Sequence, residues 1–226
     1  MNYLQLANRL RRKCRVSGSG FTTTQGSQVE EYYRLLDWVN EAWVDIQLKR
    51  IDWLWMKKSM SFPTVSSQAS YTVAQIGLTD FANWDEDSFR TYNTVVGLNS
   101  EIEMNVITYA EWRSNYQLGA LRSSVSRPIE FAVLPDFSIG LGPVPIAGYS
   151  ISGEYFKIPT ELSLDADTPG MPVQYHMAII YRAMMFYGAS ELAQEVYQEG
   201  EKEFALMMNR LGTTQIDDIA MPGALA

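Results

Sequence analysis

Residues 171–188 read Met171-Pro-Val-Gln-Tyr-His-Met-Ala-Ile-Ile-Tyr-Arg-Ala-Met-Met-Phe-Tyr-Gly188, a helix that is apolar almost all the way round. A helix with one apolar stripe packs on one neighbour; one that is apolar on every side has to be enclosed by several. Ahead of it the period is two: Ile129, Phe131 and Val133, then Phe137, Ile139 and Leu141, then Tyr149, Ile151 and Tyr155. That alternation predicts a β-meander from Arg127, a Pro-rich hinge, and then the helix. Pro172, or Thr168 with Pro169, suits the helix start and Gly188 suits its stop. A chain of this size is expected to need a neighbour to cover such a helix, which marks the stretch as part of an assembly.

Working outward, a second helix is expected at about 190–211, with Leu192, Val196, Phe204, Met208 and Leu211 on one side, acids opposite and Gly212 at its end. Residues 213–226 carry no period and read as an extended tail. At the other end, 2–14 reads as a short helix with Tyr3, Leu6, Leu10 and Cys14 on one side. A Gly/Ser-rich loop follows, then a capping box at Ser27-Gln-Val-Glu30. The helix it opens carries Tyr32, Leu36, Val39, Trp43 and Ile46 and should end near Arg50. Between 56 and about 165 the period is two again. Strands are expected at 60–62, 71–73 and 101–107, the last with Ile102, Met104 and Val106 on one face, and a short helix at 109–118. Asp85-Glu86-Asp87 reads as a solvated turn. The fold class is therefore α+β: a helical bundle core from the N- and C-terminal segments (1–55 and 168–212), an inserted antiparallel β-rich domain (56–167) and an extended C-terminal tail (213–226).

The chain has 226 residues and a net charge of −8, which denies it the broad basic face that phosphate-backbone binding requires. Charge is uneven, with Arg9, Arg11, Arg12, Lys13 and Arg15 near the start and Glu191, Glu195, Glu199, Glu201, Glu203, Asp217 and Asp218 near the end. Such asymmetry suits the stacking of protein subunits and also a solvated surface. A single cysteine, Cys14, allows no internal disulfide and fits a reducing or cytoplasmic site of folding. No signal peptide is expected, because Arg9 to Arg15 interrupt any apolar run, and no run of about 18 apolar residues predicts a membrane span.

Catalytic chemistry is thinly represented. A serine hydrolase needs a nucleophile elbow and a histidine base, yet there is no Gly-x-Ser-x-Gly and the one histidine, His176, lies on the apolar helix. One His and one Cys exclude zinc sites built from those ligands within one chain. Asp85-Glu86-Asp87 lacks the alternating ligand spacing of a calcium loop. Gly140-Leu-Gly142 runs into Pro143-Val-Pro145 and cannot open a helix on a pyrophosphate. No cofactor is expected. Two alternatives remain open: a glycan hydrolase using Asp136 and Glu154 as a carboxylate pair, and a glycan-binding module stacking sugars on Trp53 or Trp55.

The ordered series Leu134-Pro-Asp136, Ile139-Gly-Leu-Gly-Pro143-Val-Pro145, Tyr149, Gly153-Glu-Tyr155, Pro159, Leu162, Thr168-Pro-Gly-Met-Pro172, His176, Ile180, Tyr181-Arg-Ala183 and Tyr187-Gly188, with Trp43 and Trp53 after an N-terminal helix pair, resembles the head-to-tail adaptor (connector, head-completion) proteins of tailed bacteriophages. The resemblance covers about 29–212. It implies a structural virion protein with no enzymatic activity, synthesised in the host cytoplasm. It also implies a homo-oligomeric ring, usually of twelve copies, docked beneath the portal protein. Such a ring continues the channel for genomic DNA without reading its sequence and carries a downstream tail or nozzle protein. Carried over, Ile216, Ile219, Met221 and Leu225 in the tail are portal contacts. Met177, Ile180, Tyr181 and Met184 on the apolar helix are subunit-interface contacts.

Overall fold

A computed structural model describes residues 1–26, 30–119, 122 and 124–215. Two helices come first, α1 (Tyr3–Lys13) and α2 (Glu30–Leu48). Then follow β1 (Lys57–Pro63), β2 (Ser70–Tyr71), α3 (Val73–Ile76), β3 (Phe81–Asn93), β4 (Ile102–Glu103), β5 (Asn105–Val106), α4 (Tyr109–Trp112), β6 (Val125–Ser126), β7 (Glu130–Val133), β8 (Ile139–Gly142), β9 (Val144–Pro145) and β10 (Tyr149–Lys157). Two long helices, α5 (Met177–Ser190) and α6 (Gln194–Gln215), close the chain. Helix and antiparallel sheet are both present, so the class is α+β. The contacts divide the chain into two compact units, one of residues up to Met56 and from Pro159 onward, the other Lys57–Ile158.

In the helical unit α5 is wrapped by α6, α2 and α1. The stripe read from α2 is the buried one, with Leu36, Val39, Trp43 and Ile46 almost wholly enclosed. Tyr3, Leu6, Leu10 and Cys14 do the same for α1. Asn2 and Gln5 form a reciprocal capping box at the start of α1; the box expected at Ser27 lies outside the described residues. Gly188 does not stop α5. It sits inside the helix, where a Cβ would lie 2.7 Å from the Tyr197 backbone nitrogen, and a Cβ at Gly200 would lie 2.7 Å from the Tyr181 carbonyl oxygen. The two glycines let α5 and α6 approach backbone to backbone, and the turn falls instead at Glu191–Ala193 with Leu192 at φ 53°. Likewise α6 runs through Gly212 to Gln215.

Residues 159–167 pack within the helical unit, laid along α2 by side-chain amides. Asn40 Nδ2 donates to the Leu162 carbonyl at 2.9 Å and its Oδ1 accepts from the Leu162 N–H at 2.9 Å. Gln47, seven residues on, does the same to Thr160 at 2.9 and 3.0 Å. The Tyr3 and Leu4 amides donate to the carbonyls of Asp167 and Asp165.

The β unit holds two four-stranded sheets, ordered β1-β10-β3-β4 and β2-β8-β7-β5, with β6 and β9 as a separate pair. They share one core, in which Phe89 of one sheet stacks on Phe131 of the other at 4.3 Å. The meander expected from residue 127 is therefore divided: β7 and β8 pair as a hairpin, while β10 leaves for the other sheet. A nine-residue strand gains a full ladder on each side by lying between β1 and β3, which four-residue β8 does not offer. The 101–107 strand is divided too. Only Met104 is buried, while Ile102 and Val106, on β4 and β5 in different sheets, are exposed.

The acidic run is not a turn. Asp85, Glu86 and Asp87 lie within β3, which sequence reading passes over because its alternation is broken. The pairs Ser152–Arg90 and Glu154–Asp85 leave 86–89 opposite Gly153 alone, a large bulge. Ser88 Oγ closes it, donating to the Asp85 carbonyl and accepting from the Glu154 amide at 2.7 Å.

Candidate assembly surface

The apolar helix is enclosed by its own chain. Ile179, Ile180, Ala183 and Met184 are fully buried among α1, α2 and α6. Of the four residues expected at a subunit interface, Ile180 and Met184 thus have no surface to give a neighbour, while Met177 and Tyr181 are half-buried. The expectation that another copy must cover this helix fails because three helices of the chain already do so, one of them, α6, brought close by glycine. His176 belongs to the same core. Its Nε2 faces the Met171 carbonyl at 3.0 Å and its Nδ1 the Met1 amino nitrogen at 2.7 Å. Burial, with the nearby ammonium, holds its pKa below the ordinary value.

What the helical unit offers outward lies on α2 and α1. On α2 a second stripe, Asp37, Glu41, Val44 and Leu48, repeats the buried stripe's spacing on the opposite side. With Asn40, Asp45 and Glu161 it lines an open groove of about 440 Å³. Asp37 and Glu161 both act on the Tyr3 hydroxyl, whose pKa burial first, and these carboxylates second, push up to about 12. Among the described residues the side chains of Asp37, Glu41 and Glu161 make no hydrogen bond or ion pair. Sequence reading misses this stripe, although the spacing of its four residues is its signal.

On α1 the basic cluster divides. Lys13 pairs with Glu199 at 2.6 Å, so part of the charge asymmetry is satisfied within the chain. Arg11 donates to the carbonyls of Val16 and Gly18. Arg9, Arg12 and Arg15 remain exposed, with side chains that make no such bond among the described residues. Arg9 and Arg12 line a second groove, of about 390 Å³, with Met1, Leu4, Gln5 and Asn8.

The residues considered for catalysis or glycan binding are tied into the fold. Trp53 is 1% exposed, donates from its ring nitrogen to the Ile46 carbonyl at 3.0 Å and stacks on Trp55 at 4.4 Å. Asp136 accepts from the Ser138 hydroxyl and amide, which hold its carboxyl below the usual range and keep it ionised, the wrong form for a general acid. Glu154 stands 3.9 Å from Lys57, which also pairs with Asp85 at 3.0 Å. Burial pushes the Cys14 thiol up to about 12, far from a reactive thiolate. Among the described residues no cluster of three His, Cys, Asp or Glu is placed to hold a metal. No described helix is long and apolar enough to cross a membrane. The expected portal contacts Ile216, Ile219, Met221 and Leu225 lie outside the described residues.

A helical unit with two charged outer grooves, joined to a β unit with its own core, agrees with a phage head-to-tail adaptor. The chain belongs to the SU10 adaptor protein family, whose model matches residues 1–225. No curated protein matches it. Membership supports a structural adaptor role in phage, a place in the virion, and assembly partners of the portal and tail kind.

Proposed function

We propose that copies of this chain form a ring, of about twelve as in the proteins it resembles, between the capsid portal and the tail, and that the ring continues the DNA channel. The family match over 1–225 carries this reading. The helical unit supplies the ring wall and the β unit the platform for the next tail or nozzle protein. A net charge of −8 agrees with a channel past which DNA slides, since a strongly basic lumen would bind the genome. The segment with Ile216, Ile219, Met221 and Leu225 anchors the ring on the portal through its apolar side chains. Synthesis takes place in the host cytoplasm, before assembly.

Electron microscopy of the protein mixed with its portal tests this. Ring density beneath the portal is the expected result, and a protein that never associates with the portal sinks the reading. Truncation after Gln215 should abolish portal binding with thermal melting unchanged. Binding that survives the truncation removes the anchor role alone.

A further inference from the structure

The ring reading leaves open which faces meet. The helical unit carries two faces of opposite sign, one on α2 and one on α1, whose charges have no partner among the described residues. The α2 groove combines Asp37, Glu41 and Glu161 with Val44 and with Leu48, which is 65% exposed. The α1 groove combines Arg9 and Arg12 with Met1 and Leu4, and Arg15 stands exposed just beyond the helix. Each is thus a mixed face, apolar side chains beside unpaired charges of one sign. Apolar side chains beside charges of one sign are a composition that protein contacts share, and Leu48 stands exposed in register with two carboxylates.

We propose that the acidic α2 groove receives the basic α1 face of a second copy of this chain, in a head-to-tail contact that repeats around the ring. This rests on the ring reading above and names its contact. Charge selects both the partner and the geometry. A two-fold contact through either face would set like charges against each other, which disfavours that pairing. A heterologous contact sets three arginines against three carboxylates, and it closes into a ring when the rotation per copy allows. Duplex DNA is the competing occupant of the arginines. It would leave the acidic groove and its exposed leucine without a partner, so the second copy accounts for more of the surface.

The test is charge exchange in the full chain, with assembly followed by mass photometry and sedimentation at low salt, with and without portal. R9E/R12E makes both faces acidic and D37K/E41K makes both basic. All four positions are exposed, and thermal melting confirms that each variant folds. Each variant alone should stay at the protomer mass of 25.6 kDa up to a concentration about a hundredfold above that at which wild type assembles. An equimolar mixture of the two variants, or all four substitutions in one chain, should restore assembly, and added salt should weaken it. Variants that assemble like wild type overturn the proposed contact and leave the ring reading standing. A folded four-substitution chain that stays a protomer overturns the contact too. Wild type that assembles neither alone nor on the portal overturns both. A short duplex DNA bound by wild type and lost in R9E/R12E, with assembly unchanged, gives the α1 face to nucleic acid and overturns the proposal.

Discussion

The side-chain amide of Gln47 is paired in both directions with the backbone of Thr160, its nitrogen donating to the carbonyl at 2.9 Å and its oxygen accepting from the N–H at 3.0 Å. Gln47 is 3% exposed, so this amide takes the place of a neighbouring strand for a segment that has none. Removing it leaves a backbone donor and acceptor unmatched in a dry place. Gln47→Ala should cost about 1–3 kcal/mol, the penalty for stranding buried polar groups, read as a lowered urea midpoint. A change below about 0.5 kcal/mol, the ordinary range of surface substitutions, would show that the segment does not depend on this clamp.

Gly200 gives a prediction whose sign is opposite to propensity. In an exposed helix interior, Gly→Ala stabilises by about 1 kcal/mol. Here the added methyl would lie 2.7 Å from the Tyr181 carbonyl oxygen, with Met184 and Met185 side chains at 3.1 and 3.2 Å. The α5–α6 pair must part to admit it. Gly200→Ala should therefore destabilise by about 1–3 kcal/mol, the usual cost of overpacking, and calorimetry should show a lower Tm. A raised Tm would mean that the helices are not so close.

The helical stripes were legible because each repeats a 3.6 period with little interruption: Leu36, Val39, Trp43 and Ile46 lie where their spacing puts them. Pro172, read as the helix start from its residue type, opens a short 3-10 turn at Val173–Tyr175, and α5 itself begins at Met177. The ends of α5 and α6 were not legible, because Gly188 and Gly212 have the residue type of a stop, and Gly188 serves packing instead. Strand β3 was hidden by its bulge, which puts three acids in a row where alternation is the only signal. The departure of β10 from its neighbour in sequence depends on pairing partners far along the chain, which periodicity does not carry. The outer α2 stripe went unread although its spacing carries a signal, and its meaning depends on Glu161, which only the fold brings beside Asp37.

Two aromatic pairs join the sheets of the β unit, Phe62 with Tyr71 and, more deeply buried, Phe89 with Phe131. Phe89 and Phe131 are both fully buried, with ring planes 22° apart. Phe131→Ala removes the stack and leaves a cavity between the sheets, at about 3–5 kcal/mol. Phe131→Leu keeps most of the volume and should cost under about 1.5 kcal/mol. Urea unfolding followed by fluorescence of Trp84, also in this core, reads both. Equal losses for the two variants would mean that volume is not what the site requires.

The pH dependence of stability should fall in two separate steps. His176 is the only histidine, and its folded pKa is held below the ordinary value by burial, with the Met1 ammonium adding to it. The unfolded chain then takes up a proton that the folded chain resists. Its contribution is complete above about pH 6.5 and is lost as pH falls from there. The second step belongs to carboxylates whose folded pKa values are lowered. Asp80 is held chiefly by its hydrogen bond from Lys58, Asp165 by Thr24, and Asp167 by the amides of Leu164 and Ser163. Their contribution is complete above the unfolded carboxylate value of about 3.9 and disappears below it. Urea midpoints taken across the acid range should show both descents. His176→Gln, which keeps a donor for the Met171 carbonyl, should flatten the first and leave the second. An unchanged first descent in that variant would remove His176 as its source.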